Sequence, residues 1–283
     1  MIPSPFSYVR PASLDEALAA LAASDETKIL AGGHSLIPAM KLRLAQPKTL
    51  VDLGRLPDLN YIREQDGRIA VGAMATHHEI ESSLLLREQC PLLPEVAAQI
   101  GDVQVRNRGT IGGSIVHADP AADWPAAILA LEAEMVIARP AGARRVVPAN
   151  RFFLEMMQTA VQPNEILVEI RVPATDRSVA YAKFAQKASG FAIAGVAAVI
   201  DRRSGSVRIG ITGVAAKAFR AKAVERYLKG KPIDNGSIVK AATRAGKDVE
   251  GLNDIHASAE FRVHLAEVNT RRALEMAASR SAS

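Results

Sequence analysis

A single cysteine, Cys90, stands in 283 residues, so the chain closes no internal disulfide. Nor can it hold an iron–sulfur cluster alone, because such a cluster takes about four thiolates. Cys90 precedes Pro91 in an apolar stretch and reads as a core residue with an inert thiol. Aromatic side chains make up only 4% of the chain, which leaves Ala, Val, Leu and Ile to fill most of the interior. The longest apolar run, Phe191 to Ile200, is far short of the roughly 20 residues that span a bilayer, so no integral membrane protein is expected. The opening Met1-Ile2-Pro3-Ser4-Pro5 lacks the basic head and apolar stretch of a signal peptide, which points to a cytoplasmic protein. Neither sign of charge dominates. The net charge is +5, the charges are interspersed, and the basic pairs Arg144–Arg145, Arg202–Arg203 and Arg271–Arg272 are short. That pattern argues against nucleic acid as a partner. The six histidines show no ligand spacing with Cys, Asp or Glu, and the neighbours His77 and His78 diverge on a helix, so no metal site is expected.

What is present is an ordinary globular composition, 48% hydrophobic and 23% charged. The length suits two domains of roughly 100–200 residues each. Three blocks read differently. In residues 1–55, a helix from Ser13 to Ala23, with Ser13 as N-cap and Glu16 at the capping-box position, lies before strands at Lys28–Ala31 and Thr49–Leu53. That is a small α/β unit. Residues 56–177 mix hairpins with helices. Gln65-Asp66-Gly67 and Gly142 mark two hairpin turns. Helices are predicted from Thr76 through Leu86, from Leu93 to Ile100 and from Asp123 to Ala133, with strands at Gly109–Val116 and Ile166–Val172. Residues 178–283 begin with two long antiparallel strands, Phe191–Asp201 and Ser206–Thr212. Amphipathic helices follow at Arg220–Lys229, Ser237–Glu250 and Ala259–Ala278. A sheet with helices to cover it is an α+β arrangement. The polar stretch Ala174–Ser178 after Pro173 is the expected junction between domains 1–177 and 178–283.

The most informative pieces are two glycine pairs, Ala31-Gly32-Gly33-His34-Ser35 and Thr110-Ile111-Gly112-Gly113-Ser114. Each follows apolar residues and leads into a small hydroxyl residue. Bare backbone approaches a ligand closely, and successive exposed N–H groups make a concave anion site. Ser35, Thr110 and Ser114 could add hydroxyl donors, so the pair could grip a pyrophosphate from opposite sides. Neither loop has the spacing of a Walker A motif or of a dinucleotide-binding GxGxxG, and a glycine pair after a strand is also a simple turn.

The stretches AGGHSLIPAMKLRLAQPKTLVDL (31–53) and RNRGTIGGSIVHADPAADWPAAILAL (106–131) resemble the two FAD pyrophosphate segments of the medium subunits of the carbon monoxide dehydrogenase and xanthine dehydrogenase family, the molybdenum hydroxylases. The likeness extends over nearly the whole chain, from PSPFSYVRPASLDEALAAL to the third block. It implies an α+β fold. An N-terminal FAD-binding domain of the vanillyl-alcohol-oxidase (PCMH) type comprises two α/β subdomains, about 1–55 and 56–177. A C-terminal flavoprotein domain follows, with an antiparallel sheet and helices. It further implies that Ala31, Gly32, Gly33, His34, Ser35 and Leu36, with Thr110, Ile111, Gly112, Gly113 and Ser114, hold the pyrophosphate. Ser114 stands where family members often carry Asn. Asp123 matches a carboxylate near the ribityl chain, although Asp119 and Asp123 could equally cap the helix that starts near Trp124. Lys187 and Phe191 lie in the segment that reaches the isoalloxazine ring. Arg106 and Arg108 flank the second loop, and either phosphate steering or plain exposure fits them. No side chain is expected to act as a catalytic acid or base, and His34 reads as structural.

In function, the resemblance implies an FAD-binding electron-transfer subunit of a heterotrimeric, dimerised enzyme. An iron–sulfur small subunit passes electrons to it, a molybdopterin large subunit selects the substrate, and an external quinone, NAD or oxygen accepts the electrons. Two other readings stay open: a stand-alone FAD-dependent reductase of the same fold, and a non-catalytic nucleotide-binding module. The reductase would need an acid and an arginine in a substrate pocket, a pattern that the third block does not offer.

Overall fold

In the computed structural model, residues 1–175 and 178–280 are described. The expected junction at Ala174–Ser178 therefore falls partly, at 176 and 177, outside the described residues, as do 281–283 at the end of the second expected domain.

The first unit contains β1 (Ser7–Val9), α1 (Leu14–Ala22), β2 (Thr27–Leu30), α2 (Leu36–Lys41) and β3 (Thr49–Asp52). The strands form a parallel sheet in the order β1-β3-β2, with Ser7 opposite Thr49 and Leu30 opposite Asp52. Ser13 caps α1, its hydroxyl accepting from the Glu16 N–H at 3.2 Å, while the Glu16 carboxylate reaches back to the Ala12 N–H. Ala17, Leu18 and Leu21 make the buried stripe of α1. They pack with Val51 and Leu53 on one side and with Val136, Ala138, Ile166 and Val168 on the other, which fastens the small sheet to the back of the next one.

The second unit runs through β4 (Ile62–Gln65), β5 (Arg68–Gly72), α3 (His77–Ser82), α4 (Leu84–Gln89), α5 (Leu92–Ala97), α6 (Val103–Arg108), α7 (Ile111–His117), α8 (Trp124–Ala130), β6 (Glu134–Ala138), β7 (Arg144–Pro148), β8 (Phe153–Glu155), β9 (Gln158–Thr159) and β10 (Ile166–Pro173). Its main sheet is antiparallel throughout, in the order β4-β5-β10-β6-β7. The first hairpin turns at Asp66 and Gly67, both with positive φ, as a tight two-residue turn requires.

Two expectations fail here. Residues Gly109–Val116 are not a strand. Thr110 instead caps helix α7, its hydroxyl accepting from the Gly113 N–H, and Ile111 and Ile115, one helical turn apart, are both buried. β-Branched residues favour strands only weakly, and burial on one helical face overrides that preference. The helix expected from Thr76 through Leu86 is interrupted at Ser83, whose extended backbone ends α3 and whose hydroxyl caps α4.

The third unit consists of β11 (Val179–Ala185), β12 (Ala192–Asp201), β13 (Ser206–Thr212), β14 (Phe219–Arg220), α9 (Lys222–Leu228), α10 (Asn235–Ala242) and α11 (Ala259–Arg280). The sheet is antiparallel, in the order β11-β12-β13-β14, so two strands join the expected pair. Helix α10 stops well before the expected Glu250. Gly246 beyond it lies so close to Val263 that a Cβ there would meet the valine at 2.4 Å. The helices cover one face of the sheet. On the other face, Val179, Tyr181, Ala197 and Val199 share one continuous core with α5, α8 and the second sheet. Among the described residues no helix is long and apolar enough to cross a membrane.

The units approach closely at Gly210 on β13, where a Cβ would lie 1.9 Å from the Ala126 carbonyl oxygen of α8. Gly210→Ala should therefore destabilise the protein by about 3 kcal/mol or more, because two backbones would have to separate. Urea unfolding measures this, and an unchanged midpoint would show that α8 does not rest on β13 in this way.

Candidate functional site

Strand β2 delivers the first glycine loop, Ala31–Ser35, which turns at Gly33 (φ +78°) into α2. The sequence pattern predicts no helix there, since Pro38 disguises it; proline is tolerated in the first turn, where no intrahelical N–H bond is lost. The amides of Gly32, Gly33, His34, Ser35 and Leu36 meet no acceptor among the described residues. The Ser35 hydroxyl makes no cap bond either. His34 is exposed, and its ring Nδ1–H donates to the Gly32 carbonyl at 3.0 Å. The loop thus presents a run of open donors at the start of a helix, an arrangement that favours anions.

The second loop lies directly against the first. A Cβ on Gly32 would stand 2.3 Å from the Arg108 carbonyl oxygen and 2.7 Å from Gly109 Cα, and one on Gly113 would stand 3.3 Å from Ala31 Cβ. Yet its backbone donors are already engaged. Ile111 N–H donates to Ala75 O at 3.0 Å, Gly112 N–H to Ala73 O at 2.9 Å, Gly113 N–H to Thr110 Oγ1 at 3.1 Å and Ser114 N–H to Thr110 O at 3.1 Å. The expectation of two equivalent amide cradles is corrected on this point. The second turn offers hydroxyls, chiefly that of half-buried Ser114, and its glycines serve close packing, Gly112 lying against Ala73.

The remaining predicted residues lie elsewhere. Asp123 is buried, at the start of α8, but its carboxylate caps nothing. It accepts instead from Tyr181 OH at 2.5 Å and lies 2.9 Å from the Lys183 ammonium, which also donates to Gln99 O. Burial pushes the Asp123 carboxyl above its usual range, against the opposing pull of Lys183 and Tyr181, and burial likewise raises the Tyr181 phenol. Asp119 accepts from the Ala121 N–H and caps no helix. Lys187 and Phe191 are both exposed, in and just after the turn between β11 and β12. That turn abuts Gly101, since a Cβ on Gly190 would lie 3.3 Å from Gly101 Cα. No hydrogen bond among the described residues joins Lys187 or Phe191 to the glycine loops. Arg106 is held by Glu81 at 2.8 Å and by the carbonyls of Ile100 and Gly101, while Arg108 is exposed. Cys90 is fully buried, and burial pushes its thiol up to about 12.

One neighbour of the loops escaped the sequence reading. His77 is buried, its backbone N–H donates to Gly109 O at 2.9 Å, and its Nδ1 accepts from Trp124 Nε1–H at 3.2 Å. Thr76 and Thr110 form an antiparallel bridge beside it. The Thr76–Glu79 cap was readable, but nothing in the spacing tied it to Thr110.

Residues 4–175 match the family described as the FAD binding domain in molybdopterin dehydrogenase, and residues 179–277 match the CO dehydrogenase flavoprotein C-terminal domain. The chain belongs to this flavoprotein family. It is 42% identical to the carbon monoxide dehydrogenase medium chain of Hydrogenophaga pseudoflava, with 100% of each covered. It is 36% identical to the glyceraldehyde dehydrogenase medium chain of Sulfolobus acidocaldarius, over 97% of this chain and 99% of that one. Among solved structures, carbon monoxide dehydrogenase from H. pseudoflava, in a form lacking the Mo-pyranopterin moiety, superposes with a TM-score of 0.94 at 42% identity, covering 99% of both chains. Quinoline 2-oxidoreductase from Pseudomonas putida gives 0.92 at 34% identity, again over 99% of each. The family's flavoprotein fold is thus present along the whole chain.

The imidazole beneath the loops gives the protein a measurable pH response. Burial, aided by His34 and Arg106, lowers the His77 pKa from 6.5 to about 4. The unfolded chain then binds the extra proton first. The stability contribution is complete above pH 6.5 and is lost as pH falls towards 4, by about 3 kcal/mol in all. Urea unfolding across this window should show that slope, and His77→Phe should flatten it; an equal slope in the variant would exclude His77 as its source.

Proposed function

We propose that this chain is the FAD-binding electron-transfer subunit of a molybdenum hydroxylase. The observation that carries the proposal is the open amide run of Gly32–Leu36 facing the hydroxyl-bearing turn Thr110–Ser114, inside a chain that matches a dehydrogenase medium chain end to end. The residues fit the cofactor. Amide donors and a helix start suit a pyrophosphate, and the bare Cα atoms of Gly32 and Gly113 let the two turns pack directly against each other. On this reading Ala31–Leu36 would hold one side of the pyrophosphate, and Thr110 and Ser114 would supply hydroxyls from the other, with Ile111, Gly112 and Gly113 as the supporting backbone. Asp123, fixed by Tyr181 and Lys183, would serve the ribityl chain, and Lys187 and Phe191 would serve the ring from the C-terminal unit.

FAD bound there supplies a redox centre that takes up two electrons and releases them to an acceptor. The protein holds and orients it. With Cys90 buried and no second cysteine, clusters must reside on a partner, so a small iron–sulfur subunit and a large molybdopterin subunit complete the enzyme. Relatives at 34% identity are named for nicotine and caffeine, others for carbon monoxide and glyceraldehyde, which supports substrate choice by the large subunit. We place the domain division at 1–177 and 178–283. The assembly is a dimer of heterotrimers in the cytoplasm, with a quinone, NAD or oxygen as acceptor.

The purified chain should be yellow or become so with added FAD. Gly32→Ala should weaken FAD binding at least about tenfold, since the new methyl would push the loops apart. Flavin fluorescence titration measures it. A colourless wild-type chain that ignores added FAD would overturn the proposal.

A further inference from the structure

One imidazole lies against Gly109 at the entry to the second glycine loop, and the first loop leans on that same glycine. His77 opens α3, whose first turn is fixed by a reciprocal cap: Thr76 N–H donates to Glu79 Oε2 at 2.7 Å, and Glu79 N–H donates to Thr76 Oγ1 at 3.2 Å. The backbone of His77 is therefore rigid where it donates to Gly109 O. Its side chain has one orientation as well. An indole N–H can only donate, so Nδ1 of His77 must accept from Trp124, and the ring is neutral with its hydrogen on Nε2. The two rings are 5.8 Å apart and tilted by 46°. Nε2 and Cδ2 face Gly109, where a Cβ would meet them at 2.7 and 2.9 Å. Gly32 leans on Gly109 in turn, as its 2.7 Å Cβ approach shows. Trp124, His77, Gly109 and Gly32 thus form a continuous stack from the buried core to the first loop. The stack continues inward, because Trp124 follows Asp123, which Tyr181 and Lys183 hold from the C-terminal unit.

We propose that His77 is a positioning residue: braced by Trp124, its imidazole sets the separation of the two glycine loops and thereby the grip on the FAD pyrophosphate. This rests on the FAD reading above. A binding site works only when its contacts are held within about 0.5 Å, which requires the supporting side chain to be locked itself. The bond from Trp124 is that lock.

The test uses the full-length chain. His77→Phe keeps a ring of similar size but no acceptor for Trp124. His77→Asn places its Oδ1 near the position of Nδ1 and restores the acceptor. FAD and ADP dissociation constants are measured by titration, and emission of Trp124, the sole tryptophan, reports its bond. H77F should weaken FAD and ADP by the same factor, about tenfold, as befits loss of one hydrogen bond, while H77N stays within about threefold. Equal loss for ADP and FAD marks an effect on the pyrophosphate loops. A merely structural histidine would lower the urea midpoint of the apoprotein and leave both affinities at wild-type values. If H77F does not fold, Trp124→Phe removes the same bond from the other side and should give the same tenfold loss. Affinities within twofold of wild type in H77F, or in W124F where H77F fails, would overturn the role of His77 alone; a wild type that binds no FAD would overturn the functional reading with it.

Discussion

The structure around the site depends on one steric constraint: two backbone turns, distant in sequence, meet with no side chain between them. Gly32 lies against the Arg108 carbonyl and Gly109 Cα, and Gly109 lies against the imidazole of His77. Any Cβ at either glycine would sit inside van der Waals contact of backbone or ring. At Gly32 and Gly109 glycine is demanded by space rather than by backbone angle, since of the two first-loop glycines only Gly33 has positive φ.

This contact makes the two turns unlike in chemistry although they are alike in sequence. The first leaves its amides open because it leads from a strand into a short helix with no described residue placed to accept from them. The second spends its amides on Ala73, Ala75 and its own Thr110, since the first turn of α7 docks on the segment that follows β5. One turn is an electrostatic cradle and the other a rigid wall with hydroxyls.

The C-terminal unit packs on this arrangement through a buried interface. Lys183 and Asp123 are both buried, and an ion pair in that setting is a costly interaction whose value lies in what it fixes. Tyr181 and Gln99 satisfy the remaining partners, so removing one member would leave an uncompensated charge. Through Thr212, which donates to the carbonyls of Pro120 and Ala122, the same interface holds the segment that joins α7 to α8. Loop spacing, core and domain contact are thus one connected piece of packing.

The amino-acid sequence alone determined the local elements whose signals are short-ranged. These include the capped helix α1, the Asp66–Gly67 hairpin, the long strands β12 and β13, the polar caps and the existence of two glycine turns. It also carried the family resemblance, because the order of these motifs is itself specific. Tertiary packing decided what periodicity cannot encode. It made Ile111–His117 a helix by burying Ile111 and Ile115 against the core, cut α10 short where Gly246 meets Val263, and made an edge strand of β11. It engaged the second set of amides, made Asp123 a buried ion partner rather than a helix cap, and set His77 against Gly109. Each of these depends on a partner far along the chain, and contact between distant residues is settled only when the whole core closes.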